Sequence, residues 1–172
     1  MIGDMQKWTP NVASIIEHAK NLYPKQEVIS RMISGEIHRS NYEEVCIRSR
    51  KLASVLEKDG YKKGDILATL ALNTYRHLEL YYGISGMGAI THTLNFRLHP
   101  EQAVYIINHA EDKIIFVEVP FVPMMEALKD QLSCVEKYII LCDKNELPET
   151  SLKNAISYEE YIEEGDENYV WP

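Results

Sequence analysis

The 172-residue sequence has only three cysteines and no long hydrophobic run. Cys46, Cys134 and Cys142 are an odd number and include no C-x-x-C pair, which argues against a disulfide framework or a thiolate zinc site. Such cysteine usage favours a reducing, cytoplasmic setting. No apolar run approaches the roughly 18 residues that a membrane span needs. The first seven residues also lack the basic region and apolar stretch of a signal peptide, so we expect neither a membrane span nor secretion.

Positive charge is also scarce. The chain has 18 Lys and Arg against 26 Asp and Glu, a formal net charge of −8. Much of the imbalance lies in residues 143–172, which hold nine acids and two bases. Nucleic-acid binding depends mainly on phosphate neutralisation by Lys and Arg, so we predict no nucleic-acid partner.

The spacing of apolar residues predicts alternating strands and helices. Residues 12–22 are predicted to be a helix, and residues 27–32 and 36–39 a hairpin around Ser34-Gly35. A Ser40-x-x-Glu43 capping box opens the next helix, which ends near Gly60 and leaves Arg48 on its exposed face. Buried strands at 66–72, 89–94, 114–117 and 138–141 alternate with helices at about 75–86, 100–109 and 121–131. This order predicts an α/β fold, a mostly parallel sheet flanked by helices with a small N-terminal hairpin.

The last 30 residues differ in composition from the rest. We predict an α/β subdomain at residues 1–142 and an acidic connector at residues 143–172. The connector would be a polar connection as far as residue 156, then a short helix opened by Ser157-x-x-Glu160 that ends at Gly165. We expect Glu159-Glu160 and Glu163-Glu164 to form a solvated face, since no calcium-loop pattern accompanies them.

Glycine, serine and cysteine motifs do not assemble into a catalytic set. Gly83-x-x-Gly86-x-Gly88 leads from a helix into a strand, the reverse of the order that phosphate loops need. Its small residues favour close approach of the helix end to the sheet. Ser85 is not in a G-x-S-x-G elbow. Cys46 is predicted to be a core residue, and Cys142, at the end of a buried strand without a partner base, is also predicted to be structural.

The histidines show no metal-ligand spacing, since no pair stands at i, i+4 and H-E-x-x-H is absent. We expect them to be solvated or locally hydrogen-bonded. We therefore predict no catalytic, cofactor-binding or metal-binding residue in this span. The six histidines are His18, His38, His77, His92, His99 and His109.

The stretch from Glu36 to Val117 resembles a known enzyme family. The strings Arg76-His77-Leu78-Glu79, Gly86-Met87-Gly88-Ala89 and Asn108-His109-Ala110-Glu111-Asp112 are similar to those of medium- and long-chain fatty-acyl-CoA synthetases, a branch of the AMP-forming, adenylate-forming superfamily. The resemblance covers nearly the whole chain and weakens before about residue 12 and across residues 143–172. Phe96 stands where relatives commonly carry proline, a change that frees a backbone N–H and affects nothing catalytic.

The resemblance implies an enzyme of which this chain is the N-terminal portion. The family couples a carboxylate to ATP, giving acyl-adenylate and pyrophosphate, and the thiol of coenzyme A then attacks the acyl carbon. The phosphate loop, magnesium-site, ribose-site and lid residues of such enzymes lie downstream of a segment like Tyr169-Val170-Trp171-Pro172. ATP, magnesium and coenzyme A are thus implied for the parent enzyme and no cofactor for this span, which we expect to be structural and inactive alone. The expected partner is the remainder of its own chain, with a homodimer contact as in some relatives.

Two other interpretations stay open at this point. The chain could be a stand-alone binding or interaction module derived from such an enzyme, with residues 143–172 as a true tail. It could instead be an independent flavodoxin-like domain that binds a nucleotide or flavin, an interpretation that rests on fold pattern alone. Trp171-Pro172 is an unusual natural terminus and favours a portion of a longer protein. A subdomain without its partner would expose an apolar face, so we expect aggregation or dimerisation.

Overall fold

A five-stranded parallel sheet forms the centre of the fold, in a computed structural model that describes Gly3 and residues 11–172. The elements in chain order are α1 (Val12–Leu22), β1 (Glu27–Arg31), β2 (Ile37–Asn41), α2 (Tyr42–Lys58), β3 (Ile66–Leu70), α3 (Tyr75–Gly86), β4 (Ile90–Thr93), α4 (Pro100–Ala110), β5 (Ile114–Val117), α5 (Val122–Leu128), β6 (Lys137–Ile140), β7 (Ala155–Ser157) and α6 (Tyr158–Tyr161). The strands of the sheet lie in the order β4-β3-β5-β6-β7. The predicted α/β class, the parallel sheet and the N-terminal hairpin are confirmed.

Two apolar cores lie on opposite faces of the sheet, because successive strand residues point to opposite sides. Leu67, Phe116 and Ile139 pack with residues of α2, α3 and α6. Ala68 is adjacent to Leu67 in β3, and Ile115 is adjacent to Phe116 in β5. Both therefore point to the opposite face of the sheet, where they pack with residues of α4 and α5. All four residues of β5 are buried, as the continuous apolar run predicts for a central strand.

The hairpin and α1 lie beside the main sheet. β1 and β2 pair antiparallel with Glu27 opposite Asn41, and Gly35 in the turn has φ +88°, a conformation that favours glycine. Ile16 of α1 is buried against Val45 and Cys46 of α2. Among residues 11–172, no helix is long and apolar enough to cross a membrane.

The start of α2 differs from the predicted capping box by one residue. Asn41, not Ser40, caps the helix: the backbone N–H of Glu44 donates to Asn41 Oδ1 at 2.9 Å. The Asn41 side-chain amide also donates to Glu44 Oε1 at 2.9 Å. Ser40 is instead a residue of β2, and its hydroxyl donates to the carbonyl oxygen of Val28. The capping-box prediction was wrong because strand pairing extends the hairpin to Asn41.

The acidic segment contributes a fifth strand that the sequence pattern does not predict. β7 pairs parallel with β6, and Tyr158, Tyr161 and Ile162 are buried in the core beneath α2. The predicted cap of α6 is confirmed, since Ser157 Oγ accepts from the backbone N–H of Glu160. Gly165 lies so close to α2 that a Cβ there would be 2.4 Å from the carbonyl oxygen of Lys51. The boundary at residue 142 stays a prediction, although residues on both sides of it share one sheet.

Candidate functional site

A cavity of about 380 Å³ opens at the carboxyl edge of the sheet. The chain passes from β3 to β4 on one side and then to β5 on the other side of β3, so the order of strands reverses between β3 and β5. Open α/β sheets bind ligands outside the carboxyl ends of their strands at such a point. Glu118 follows β5, Cys142 and Asp143 follow β6, and Tyr75 and Arg76 begin α3 at this edge. Residues 32–34, at the tip of the hairpin, also line the cavity.

Arg76 is buried in the cavity wall and all three of its guanidinium nitrogens are engaged. Its Nε donates to Glu159 Oε1 at 2.8 Å, and a second nitrogen donates to the carbonyl oxygen of Leu141 at 3.3 Å. The third nitrogen pairs with the carboxylate of Asp143. Arg76 therefore holds the end of β6 and the start of α6 against α3. In the same cavity lining, the ring of Tyr75 stacks on the ring of His38, with 3.7 Å between the centroids.

A second set of ion pairs lies behind the cavity. Arg48 Nε donates to Glu79 Oε1 at 2.7 Å, and its other nitrogens donate to both oxygens of Glu159 at 2.9 and 3.0 Å. The Tyr158 hydroxyl donates to Glu79 Oε2 at 2.9 Å. Burial raises the pKa of Glu79, and the hydrogen bonds from Arg48 and Tyr158 oppose that rise. Burial would also raise the pKa of Glu159, but the guanidinium groups of Arg48 and Arg76 outweigh it and hold that pKa below its usual range.

These contacts correct two expectations. Arg48 is not on a wet helix face, since its side chain is 28% exposed and paired twice. Glu159 is not part of a solvated face, since its side chain is 20% exposed and contacts two arginines. The helical pattern placed each residue on the polar side of its own helix and carried no information about the partner elements. Glu160, Glu163 and Glu164 are exposed, as expected.

Glu118 is the most deeply buried carboxylate that faces the cavity. Its residue is 2% exposed, and its Oε2 accepts a hydrogen bond of 3.3 Å from the backbone N–H of Leu72. Burial raises the pKa of Glu118, against the opposing effects of that hydrogen bond and of Arg76. The spacing of residues in the sequence did not indicate Glu118 as a site residue. Its position directly after a buried strand, where the order of strands reverses, was a signal that could have indicated it.

The cavity does not fit a triphosphate. Of the described residues that line it, four are acidic (Glu36, Glu118, Asp143 and Glu146) and one is a lysine or arginine, Arg76, which is already paired. Phosphate groups need free cations or convergent backbone N–H groups. Within the described residues, no group of three or more His, Cys, Asp or Glu is placed to hold a metal ion. We therefore assign neither ATP binding nor magnesium binding to this edge of the sheet.

The histidines are either close to polar groups of neighbouring residues or exposed to solvent. His77 is buried, with one ring nitrogen 3.1 Å from Thr69 Oγ1 and the other 3.1 Å from the carbonyl oxygen of Leu72. His92 Nδ1 lies 2.8 Å from the buried carboxylate of Asp112. His18, His99 and His109 are exposed.

The cysteines and the glycine motif have structural surroundings. Cys46 is fully buried, and burial raises its pKa to about 12, while burial raises the pKa of Cys142 to about 11. Both thiols are therefore protonated at neutral pH. Gly83 and Gly86 allow close approach as predicted, but not to the sheet: a Cβ would lie 2.6 Å from Leu52 of α2 at Gly83 and 2.6 Å from the Trp171 ring at Gly86.

Comparison with known proteins identifies the family. The model of the AMP-binding enzyme family matches residues 16–169. The chain is 41% identical over 172 residues to the medium-chain-fatty-acid–CoA ligase of Ectopseudomonas oleovorans, covering 100% of this chain and 32% of that protein. It is 41% identical over 157 residues to the long-chain-fatty-acid–CoA ligase of Thermus thermophilus, covering 91% of this chain and 28% of that protein.

A solved structure shows the same fold. The inhibitor-bound N-terminal domain of FACL13 from Mycobacterium tuberculosis aligns with a TM-score of 0.79 at 20% identity, covering 95% of this chain and 38% of that one. The chain spans about a third of the length of the curated relatives it matches. The family match over nearly the whole chain, together with this fold, shows that the protein belongs to the AMP-binding enzyme family.

Proposed function

We propose that the chain is the N-terminal subdomain of an AMP-forming fatty-acyl-CoA ligase. The whole enzyme would activate a carboxylic acid with ATP to an acyl-adenylate and then form the acyl-CoA thioester, in the cytoplasm. The observation that carries this proposal is 41% identity along the entire chain to a medium-chain-fatty-acid–CoA ligase of which the chain spans 32%. ATP, magnesium and coenzyme A would be bound by the rest of the enzyme.

The chain's own part in this enzyme is architectural. Both half-reactions develop negative charge that positive groups must stabilise. In this span the partly buried Arg48 and the buried Arg76 are already paired with carboxylates that join α2, α3 and α6. Those arginines therefore support a stable sheet, and the charge stabilisation needed for catalysis would come from outside it.

The hairpin supports a docking role toward the rest of the enzyme. Ile29 and Ile37 lie on the same face of the hairpin, because Ile37 pairs with Arg31, two residues from Ile29. They are 54% and 48% exposed. Covering such side chains releases water and stabilises an interface. We propose that the remainder of the ligase covers this face, and that a homodimer contact would use a similar apolar surface.

ATP–pyrophosphate exchange tests whether the catalytic residues lie outside this chain. The chain alone is incubated with Mg·ATP, labelled pyrophosphate and either octanoate or palmitate, and the E. oleovorans ligase serves as the positive control. We expect exchange at the no-enzyme level from the chain and robust exchange from the control. Carboxylate-dependent exchange by the chain alone would show that it contains catalytic residues and would overturn the architectural role.

A further inference from the structure

The cavity at the carboxyl edge carries an excess of negative charge. Counting all four acids as ionised and His38 as neutral, the four acids and one arginine give a formal charge of −3. Arg76 lowers the pKa of Glu118 through its charge but donates no hydrogen bond to it, since its hydrogen bonds go to Glu159, Leu141 and Asp143. The potential inside a concave, partly apolar cavity is focused by its low-dielectric walls. A positively charged group would therefore be attracted into it.

Glu118 has unused hydrogen-bonding capacity inside this cavity. Its residue is 2% exposed, yet the one hydrogen bond that its side chain accepts from described residues is the 3.3 Å contact from Leu72 N–H to Oε2. Oε1 has no hydrogen bond within the described residues and is not wholly buried, and Glu118 is one of the residues that line the cavity. A carboxylate so buried gains most from a cationic donor, because a charge-assisted hydrogen bond replaces lost hydration.

The lining of the cavity is partly apolar. Its apolar lining residues are Met32 and Ile33 of the hairpin tip together with Val119, Pro120 and Leu141. A volume of about 380 Å³ suits a small molecule or a single long side chain. The site thus combines a buried carboxyl group with a partly apolar lining.

We propose that this cavity binds an ammonium or guanidinium group on a short aliphatic stem, with Glu118 as its counter-ion. Glu36, Asp143 and Glu146 add long-range attraction. The group can come from a free alkylamine or from a Lys or Arg side chain in the rest of the ligase. The test of this site does not depend on the proposed ligation chemistry, because binding is measured on this chain without ATP or acid; only the side-chain source rests on the proposed function.

Titration of the ¹⁵N-labelled chain with n-butylammonium, n-butylguanidinium and n-butanol tests the site. The three probes share a stem and differ in charge. We expect saturable shifts of the Leu72 and Glu118 amide signals with the two cations and at least tenfold weaker binding of the alcohol. Equal binding of the alcohol, or no saturable shift with either cation up to about 50 mM, would overturn the proposal.

Two variants locate the counter-ion. Glu118→Gln should weaken n-butylammonium binding at least tenfold, while Glu101→Gln, whose native side chain is 91% exposed on α4, should leave it unchanged. Unchanged binding by a folded Glu118→Gln chain would overturn the assignment. If Glu118→Gln fails to fold, Glu146→Gln should still weaken binding two- to threefold, and an unchanged affinity would count against an electrostatic site.

A second titration distinguishes the source of the cation. It uses a full-length ligase in which this chain replaces the corresponding third. Loss of n-butylammonium binding in that protein would assign the cavity to a Lys or Arg side chain of the ligase itself. Retained binding would assign it to a free amine. Neither outcome depends on whether the chimera forms acyl-CoA.

Discussion

Arg48 and Glu79 form an ion pair that joins α2 to α3, with Arg48 Nε 2.7 Å from Glu79 Oε1 and the Glu79 side chain 1% exposed. Tyr158 of α6 binds the other oxygen of Glu79, at 2.9 Å. Three helices on one face of the sheet are therefore linked through a single buried carboxylate. The acidic segment that includes α6 is joined to the rest of the fold by this carboxylate as well as by apolar packing.

Replacing Arg48 with methionine should strongly destabilise the fold. The change leaves the Glu79 carboxylate buried with the Tyr158 hydroxyl alone, and removing one partner of a buried pair costs about 3–5 kcal/mol. Urea unfolding followed by circular dichroism measures the loss. Arg39→Met is the matched control: it breaks a pair with Glu27 whose side chains are 59% and 56% exposed, and it should cost less than about 1 kcal/mol. Equal losses would contradict a structural role for the Arg48 pair.

The capping residue of α2 can be identified by two alanine substitutions. Asn41→Ala removes the acceptor for the Glu44 N–H and should lower the free energy of unfolding by about 1 kcal/mol. Ser40→Ala removes a 3.4 Å hydrogen bond to the Val28 carbonyl at the strand and should cost less. Chemical denaturation of both variants gives the comparison. A larger loss from Ser40→Ala than from Asn41→Ala would instead identify Ser40 as the capping residue, as the sequence predicts.

Trp171 should anchor the end of the chain to α1 and α3. Its Nε1 donates to Glu17 Oε1 at 2.8 Å and its ring lies against Gly86. Trp171→Ala should therefore lower the unfolding free energy by about 2 kcal/mol and speed amide hydrogen exchange in α1. Val170→Ala, at a residue that is 84% exposed, should change neither quantity. Unchanged exchange in α1 after loss of Trp171 would mean that the end of the chain does not support it.

Asp112 should give the fold a measurable dependence on pH. Burial raises its pKa from the ordinary 3.8 to about 6, against the opposing hydrogen bond from His92. Between those values the folded state binds a proton that the unfolded state has released, so the stabilisation is complete below about pH 4 and is lost as pH rises through 6. The stability of the native chain relative to Asp112→Asn should thus fall by about 2–3 kcal/mol between pH 4 and 7.

Urea titrations at four pH values across this window measure that difference. Glu101→Gln supplies the control, because it removes a carboxylate whose side chain is 91% exposed and that is not part of the pair between Asp112 and His92. A constant difference between the native chain and Asp112→Asn would show that Asp112 has the same pKa in the folded and unfolded states.

The main sheet could be predicted because its central strands are continuous apolar runs. Ile114–Val117 is such a run, and burial on both faces needs no alternation of polar residues. β7 could not be predicted, because its three residues, Ala155–Ser157, are too few to show a period and stand in a polar segment. Its pairing with β6 depends on tertiary packing, which local pattern does not contain.

The buried ion pairs could not be predicted from the spacing of residues in the sequence, for a related reason. Arg48 is 31 residues from Glu79 and 111 residues from Glu159 along the chain. Each side chain looks solvated on its own helix, and only the packing of α2, α3 and α6 removes the water. Glu118 is different, since the rule that ligands bind at the carboxyl ends of strands would have indicated it once the strand order was known.

A chimeric ligase tests the central claim most directly. This chain replaces the corresponding third of the E. oleovorans medium-chain-fatty-acid–CoA ligase, and formation of octanoyl-CoA from octanoate, ATP and coenzyme A is measured. The same ligase with that third deleted serves as the blank. If the chain is the supporting subdomain of a fatty-acyl-CoA ligase, the chimera should form octanoyl-CoA well above the blank, and the chain alone should form none. A chimera that folds but matches the blank, or product from the chain alone, would contradict the account.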